Sequence, residues 1–289
     1  MAVVVVGWAL NAFGTPVLGL ALPAIGIAVI SAIDDIRSLS ARIRFGVHLG
    51  AAVALVVVFG GWGRIEVPLL GTIDLGLAGA LLGVFWLVGL TNAYNFMDGI
   101  DGIAATQGVV AGLGWMLVGS VLGEPITAMT GALVAGATAG FAVHNWPPAK
   151  IFMGDVGSAF LGFVFAALAL VAGDGRIPIA ALLFVWPFVF DSGVTFCRRL
   201  LKRENVFAAH RSHLYQRAVI AGVSHATVTT LYGGLALVST VAGVVWASGG
   251  ASWTAWAGLV FPPVTAVVFV LRAERKHEKQ KLAGSAKRL

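Results

Sequence analysis

Apolar runs on the scale of 20 residues, the length a helix needs to cross the hydrocarbon core of a bilayer, repeat along this chain from end to end. They predict helices over 2–13, 16–33, 46–62, 76–95, 102–122, 126–145, 157–173, 177–197, 226–248 and 253–271. The breaks between them carry helix-ending residues, as in Gly14-Thr15-Pro16, Gly123-Glu124-Pro125 and the stretch from Gly173 to Pro178. The longest interruption, 198–225, is too short for a soluble domain. The pattern predicts an all-α fold, a polytopic transmembrane helical bundle of about ten helices. Residues 1–271 read as one transmembrane domain and 272–289 as a basic tail.

Composition agrees. Of 289 residues, 58% are hydrophobic and 11% charged, against about 25% charged in soluble domains; mean hydropathy is +0.92. The single cysteine, Cys197, excludes an internal disulfide and a cysteine-based metal site. The start, Met1-Ala2-Val3-Val4-Val5-Val6, has no basic n-region and no cleavage site, so it does not read as a signal peptide. A pI near 9.9 raises nucleic acid as a partner, but basic loops at one membrane face account for it, and no nucleic-acid partner is expected.

Those basic residues are unevenly shared. One set of alternate loops holds Arg37, Arg42, Arg44, Lys150, Arg198, Arg199, Lys202, Arg203, Arg211 and Arg217, plus the tail from Arg272 to Arg288; the other holds only Arg64 and Arg176. The positive-inside rule makes the first set, and both termini, cytoplasmic. Trp62, Trp246, Trp253 and Trp256 then belong to an outer aromatic belt. The tail reads as a solvated segment facing anionic lipid.

Four polar clusters fall on the predicted cytoplasmic side. They are Asp34-Asp35; Asn92-Ala-Tyr-Asn-Phe-Met-Asp-Gly-Ile-Asp-Gly102; Asn145-Trp-Pro-Pro-Ala-Lys-Ile-Phe-Met-Gly-Asp-Val-Gly-Ser158; and His210-Arg-Ser-His-Leu-Tyr-Gln216. The opposite loops keep scattered charges: Arg64, Glu66, Asp74, Glu124, Asp174 and Arg176. An acid at membrane depth costs on the order of 3 kcal/mol, so two acids among glycines at a helix end call for more than packing. Carboxylates and amides on a bent backbone suit a hard cation or a polar ligand.

Each cluster alone has a plainer reading. Asp34 and Asp35 suit metal binding or general-base work and equally suit a solvated cap paired with Arg37. The Gly154-Asp155-Val156-Gly157 turn suits a phosphate–metal complex, yet such turns are common. Arg211 suits a phosphate clamp with His213 beside it, against ordinary positive-inside decoration, which better describes Arg198, Arg199, Lys202 and Arg203. Asp191, inside a predicted span, should face the bundle. His48 and His225 read as interfacial, His144 as ambiguous, and Phe152 as an interface aromatic or a stacking platform. Gly131, Gly136 and Gly140 read as helix-packing residues.

Taken together and in this order, the four clusters resemble the polyprenyl-phosphate N-acetylhexosamine-1-phosphate transferase family, over most of the chain. The carrying pieces are Asp34-Asp35, the Asn92–Gly102 run, Pro148-Ala-Lys-Ile-Phe-Met-Gly-Asp-Val-Gly-Ser158 and His210-Arg-Ser-His213. The resemblance implies that residues 1–271 form a catalytic domain. It would move a sugar 1-phosphate from a UDP-sugar to undecaprenyl phosphate, release UMP and start a cell-envelope glycan. It implies Mg2+, with Mn2+ as an alternative, an active site facing the cytoplasm at the bacterial inner membrane, contact with membrane lipid, and leaves room for a homodimer. Asp155 matches the metal ligand, and Asp34 and Asp35 match the catalytic acidic pair. Asn95, Asp98 and Asp101 match the nucleotide loop, Asn145 and Phe152 the substrate-binding stretch, and Arg211 and His213 the loop contacting diphosphate and sugar.

Two departures shape the expectation. The helix and the basic Pro/Gly-Gly segment that precede residue 2 in the family are absent from this sequence, which predicts an N-terminally shortened chain. The last cluster lacks a triple-His pattern, which favours an N-acetylhexosamine or related aminosugar donor, as in the O-antigen-initiating branch, over phospho-N-acetylmuramoyl-pentapeptide transfer. The readings of another class are a lipid or solute transporter and an inactive, shortened paralogue.

Overall fold

The computed structural model describes residue 1 and residues 15–173, 175–205 and 210–286. The predicted helix 2–13 lies outside them. Among the described residues are eleven helices and one two-stranded hairpin. They are α1 (Thr15–Arg37), α2 (Ala41–Phe59), β1 (Arg64–Val67), β2 (Gly71–Asp74), α3 (Leu77–Met97), α4 (Ile103–Leu122), α5 (Pro125–Asn145) and α6 (Gly154–Val171). Then come α7 (Ile177–Phe184), α8 (Trp186–Leu201), α9 (Leu214–Ile220), α10 (His225–Ala247) and α11 (Ser252–Ala286). Eight helices are long and apolar enough to span a membrane. This is a multi-pass, all-α membrane protein.

Helix α6 is the axis. Every residue from Ser158 to Leu170 is buried, as a helix apolar on all sides requires. It packs against α1 and α3, and Trp62 and Trp86 donate to its carbonyls at Ala169 (3.0 Å) and Ala166 (3.2 Å). Helices α4 and α5 pack backbone to backbone. A Cβ on Gly112 would lie 2.7 Å from the Ala135 nitrogen, and one on Gly131 only 2.4 Å from that of Met116. Gly136 and Gly140, expected to do the same, face no atom within 4 Å. Only Gly131 of that trio mediates close approach.

Four expectations need correcting. The predicted span 177–197 is two helices, α7 and α8, which meet at 79° on either side of Val185. Pro187 sits in the first turn of α8, where its missing N–H costs nothing, and Gln107 donates to the Phe184 carbonyl freed at the bend (2.7 Å). The stretch after α2, predicted helical to residue 62, instead turns into the β hairpin, with Arg64 opposite Asp74. Trp62 and Trp246 are 4% and 1% exposed, so they belong to the core; Trp253 and Trp256, at 69% and 40%, keep an exposed position. Helix α11 continues unbroken past residue 271 into the basic tail, where Glu274 accepts two bonds from Arg217 of α9 (2.8 and 2.7 Å).

Two of the charges at the hairpin end, Glu66 and Arg176, are partners rather than scatter. Arg176 pairs with Glu66 (2.9 Å), donates to the carbonyls of Trp246 and Gly250, and lies 4.3 Å over the Trp246 ring. Glu66 also donates its backbone N–H to Gly175 (2.8 Å). One arginine thus fastens the hairpin to the α7 start and the α10–α11 turn.

Candidate active site

All four polar clusters meet at the other end of the bundle. The α3–α4 turn (residues 98–102), the α5–α6 loop (146–153) and the first turn of α6 surround a cleft of about 280 Å³. Its walls include Asn95, Asp98, Asp101, Asn145, Phe152, Asp155 and Ser158. Six of the ten residues singled out from the sequence therefore share one cavity.

Local chemistry explains the shape. Asn145, 4% exposed, accepts from the Gly102 N–H (2.9 Å) and donates to the Ile151 carbonyl (2.8 Å), joining two loops. Asp101 accepts from the Ala149 N–H (3.1 Å), and its own carbonyl takes the Thr229 hydroxyl (2.7 Å). Asn95 donates to Ser158 (3.2 Å), tying α3 to α6. Phe152 is 76% exposed at the rim, as a platform for a planar ligand would be.

Asp34 and Asp35 sit beside the cleft, inside the last turns of α1, and are not among its lining residues. Asp35 accepts from the Asp155 and Val156 N–H groups (3.2 and 3.3 Å), placing a carboxylate on the α6 N-terminus. Asp34 accepts from the Leu39 N–H and from Arg44, and Arg44 also reaches Asp155 (3.2 Å). The arginine thus bridges the acidic pair to the cleft acid.

Arg211 and His213 lie off the cleft. Arg211 is exposed; His213 is 4% exposed, its Nδ1 3.2 Å from Asp191. The link from this loop to the cleft is Tyr215, whose hydroxyl donates to the Phe96 carbonyl (3.1 Å), two residues before Asp98. Burial first, then the charges of Asp191 and Asp98, push the Tyr215 hydroxyl above its ordinary range and keep it a donor.

One cleft residue was not singled out from the sequence, where His225 read only as interfacial. His225 lines the wall, its Nδ1 3.5 Å from Asp101. A lone histidine at a helix start carries no spacing signal, so only the fold reveals it.

Electrostatically the cleft concentrates negative charge. Burial foremost, and then Asp155, raise the Asp98 pKa to about 7. The donors are hard oxygens, suited to Mg2+. Among the described residues no three His, Cys, Asp or Glu side chains converge to hold a metal alone.

Several known proteins are similar to this chain. The chain is 34% identical over 205 residues to the probable undecaprenyl-phosphate N-acetylglucosaminyl 1-phosphate transferase of Bacillus subtilis, covering 69% of this chain and 57% of that protein. It is 33% identical over 231 residues to the decaprenyl-phosphate N-acetylglucosaminephosphotransferase of Mycobacterium tuberculosis, covering 70% and 56%. It is also 30% identical over 269 residues to the phospho-N-acetylmuramoyl-pentapeptide-transferase of a Synechococcus strain, covering 84% and 72%. The chain spans a little over half the length of the first two relatives. The family model for glycosyl transferase family 4 matches residues 17–173, the segment that builds the cleft walls from α3 to α6, and this chain belongs to that family.

Proposed function

We propose that this protein transfers a hexosamine 1-phosphate from a UDP-sugar to a polyprenyl phosphate, with release of UMP. The observation that carries the reading is the convergence of Asp98, Asp101, Asp155, Asn95 and Asn145 on one cleft at the end of a membrane bundle. In this reaction an acceptor phosphate oxygen bonds to the sugar-bearing phosphorus, while the bridge oxygen leaves with UMP. Both reactants are anionic, so positioning and charge neutralisation dominate the barrier.

Asp155, with Asp98 on the same cleft, would hold Mg2+, which supplies positive charge to the diphosphate oxygens when bound. Asp35 fixes the α6 N-terminus and so the position of Asp155. Arg44, paired with Asp34 and Asp155, supplies a guanidinium beside the reacting phosphates. Asn95 and Asp101 would grip the nucleotide loop side, with Phe152 under the base. Arg211 and His213 would act on diphosphate and sugar from the adjoining loop. A volume of about 280 Å³ is at the small end for ligand sites, so the cleft would enclose the reacting diphosphate while the rest of the donor lies over the rim.

The acceptor phosphate would reach this end from the headgroup layer. The distribution of basic loops supports a cytoplasmic orientation in a bacterial inner membrane. The missing triple-His pattern supports an N-acetylhexosamine or related aminosugar donor.

Turnover of a panel of UDP-sugars, including UDP-N-acetylmuramoyl-pentapeptide, with undecaprenyl phosphate and Mg2+ tests the reading. UMP release with one or more donors is expected, and none across the panel would overturn it. Asp155→Asn is expected to abolish release with the fold intact; an active variant would remove Asp155 from the metal role.

A further inference from the structure

Asp191 of α8 is 1% exposed, yet its carboxylate gathers polar partners from α8, α10 and the start of α9. Its Oδ1 accepts from the Leu214 N–H (2.8 Å) and the Thr195 hydroxyl (3.3 Å); its Oδ2 accepts from the Tyr215 N–H (3.0 Å) and the Tyr232 hydroxyl (2.6 Å). His213 Nδ1 is a fifth neighbour, 3.2 Å from Oδ1. Donors thus reach both oxygens, and His213 Nδ1 lies where a proton on it would point at the same carboxylate.

A histidine that donates from Nδ1 to this carboxylate is left with Nε2 as the basic nitrogen of the ring. The same face of α8 holds the loop a second time, because Arg198, two turns further on, donates to the Ser212 carbonyl. The segment Ser212–Tyr215 is clamped from one helix, and Tyr215 passes that placement to Phe96, beside the cleft loop.

We propose that Asp191 is a positioning residue that holds His213 as its Nδ1–H tautomer and presents Nε2 as the proton-accepting nitrogen of the loop, acting on the substrate through His213. Its kinetic consequence rests on the transfer reading above; the tautomer does not. A merely structural Asp191 would cap α9 and leave the ring tautomer free.

The test uses the full chain with 15N-labelled histidine, the His213 signal being identified by its loss in His213→Gln. Wild-type protein at pH 8 should show the proton on Nδ1; a proton on Nε2 overturns the proposal whatever the protein catalyses. Asp191→Asn, His213→Gln and the double variant then form a cycle on sugar-phosphate transfer. Asp191→Asn should lose about 10²- to 10⁴-fold in kcat, the range for a positioned proton acceptor and for loss of the carboxylate that fixes its tautomer. The double variant should fall less than about threefold below His213→Gln, and additive losses overturn the proposal. If Asp191→Asn does not fold, or if wild-type protein turns over no donor, the wild-type ring signal decides alone; the second result counts against the transfer reading.

Discussion

Gly154 opens α6 at φ +65°, and a Cβ there would lie 2.9 Å from an oxygen of Asp35. Both the backbone and the neighbour demand glycine. Gly154→Ala should cost about 1–2 kcal/mol for the left-handed conformation and displace Asp35 from the Asp155 and Val156 N–H groups. A lower Tm together with a larger proportional loss of transfer would show it. Asp98 makes a pH prediction. Its pKa in the fold is raised to about 7, above the value near 4 of an unfolded chain, so the folded state binds the proton more tightly. Stability should fall as pH rises from about 4 through 7, and Asp98→Asn should flatten that slope in thermal unfolding; an unchanged slope would count against it. At this scale the acids were legible because an acid among apolar residues is costly. Asn145 was legible as a candidate, but its use in joining two loops was not, since Gly102 and Ile151 become neighbours only on folding.

Among elements, the eight long spans were readable from hydropathy because lipid and bundle core both select apolar side chains. The bend at Val185 was not. Both arms are apolar, and an averaged window passes over a change of direction; the signal was Trp186-Pro187, a proline suited to a helix start. The bend persists because Gln107, from α4, satisfies the Phe184 carbonyl. Gln107→Leu should leave that oxygen unpaired at a cost of about 1–3 kcal/mol, seen as a lower Tm, and wild-type stability would argue that the carbonyl is otherwise satisfied. The hairpin was missed because four-residue strands are shorter than any periodic signal. Its Arg176–Glu66 pair lies 110 positions apart in sequence. In contrast, the order of the four clusters survived translation into space, since each occupies a turn or helix end on alternate connections.

For the whole molecule, the two ends differ in kind, one closed by a hairpin and one open at a cleft. Cys197 is the only cysteine, so sidedness is open to direct measurement. In a Cys197→Ser background, Leu69→Cys at the hairpin tip and Phe152→Cys at the cleft rim, both at exposed positions, should react with a membrane-impermeant maleimide from opposite faces. Phe152→Cys should label from the cytosolic face, and labelling of both from one face would refute the topology. The bridge made by Arg44 from Asp34 to Asp155 has a consequence at the same scale. Carboxylates brought together from α1 and α6 repel, and a guanidinium paired with both lets the protein meet that repulsion while it folds. On the proposed transfer reading, anionic ligands would then enter a preorganised electrostatic field and would require less reorganisation of their surroundings than in water.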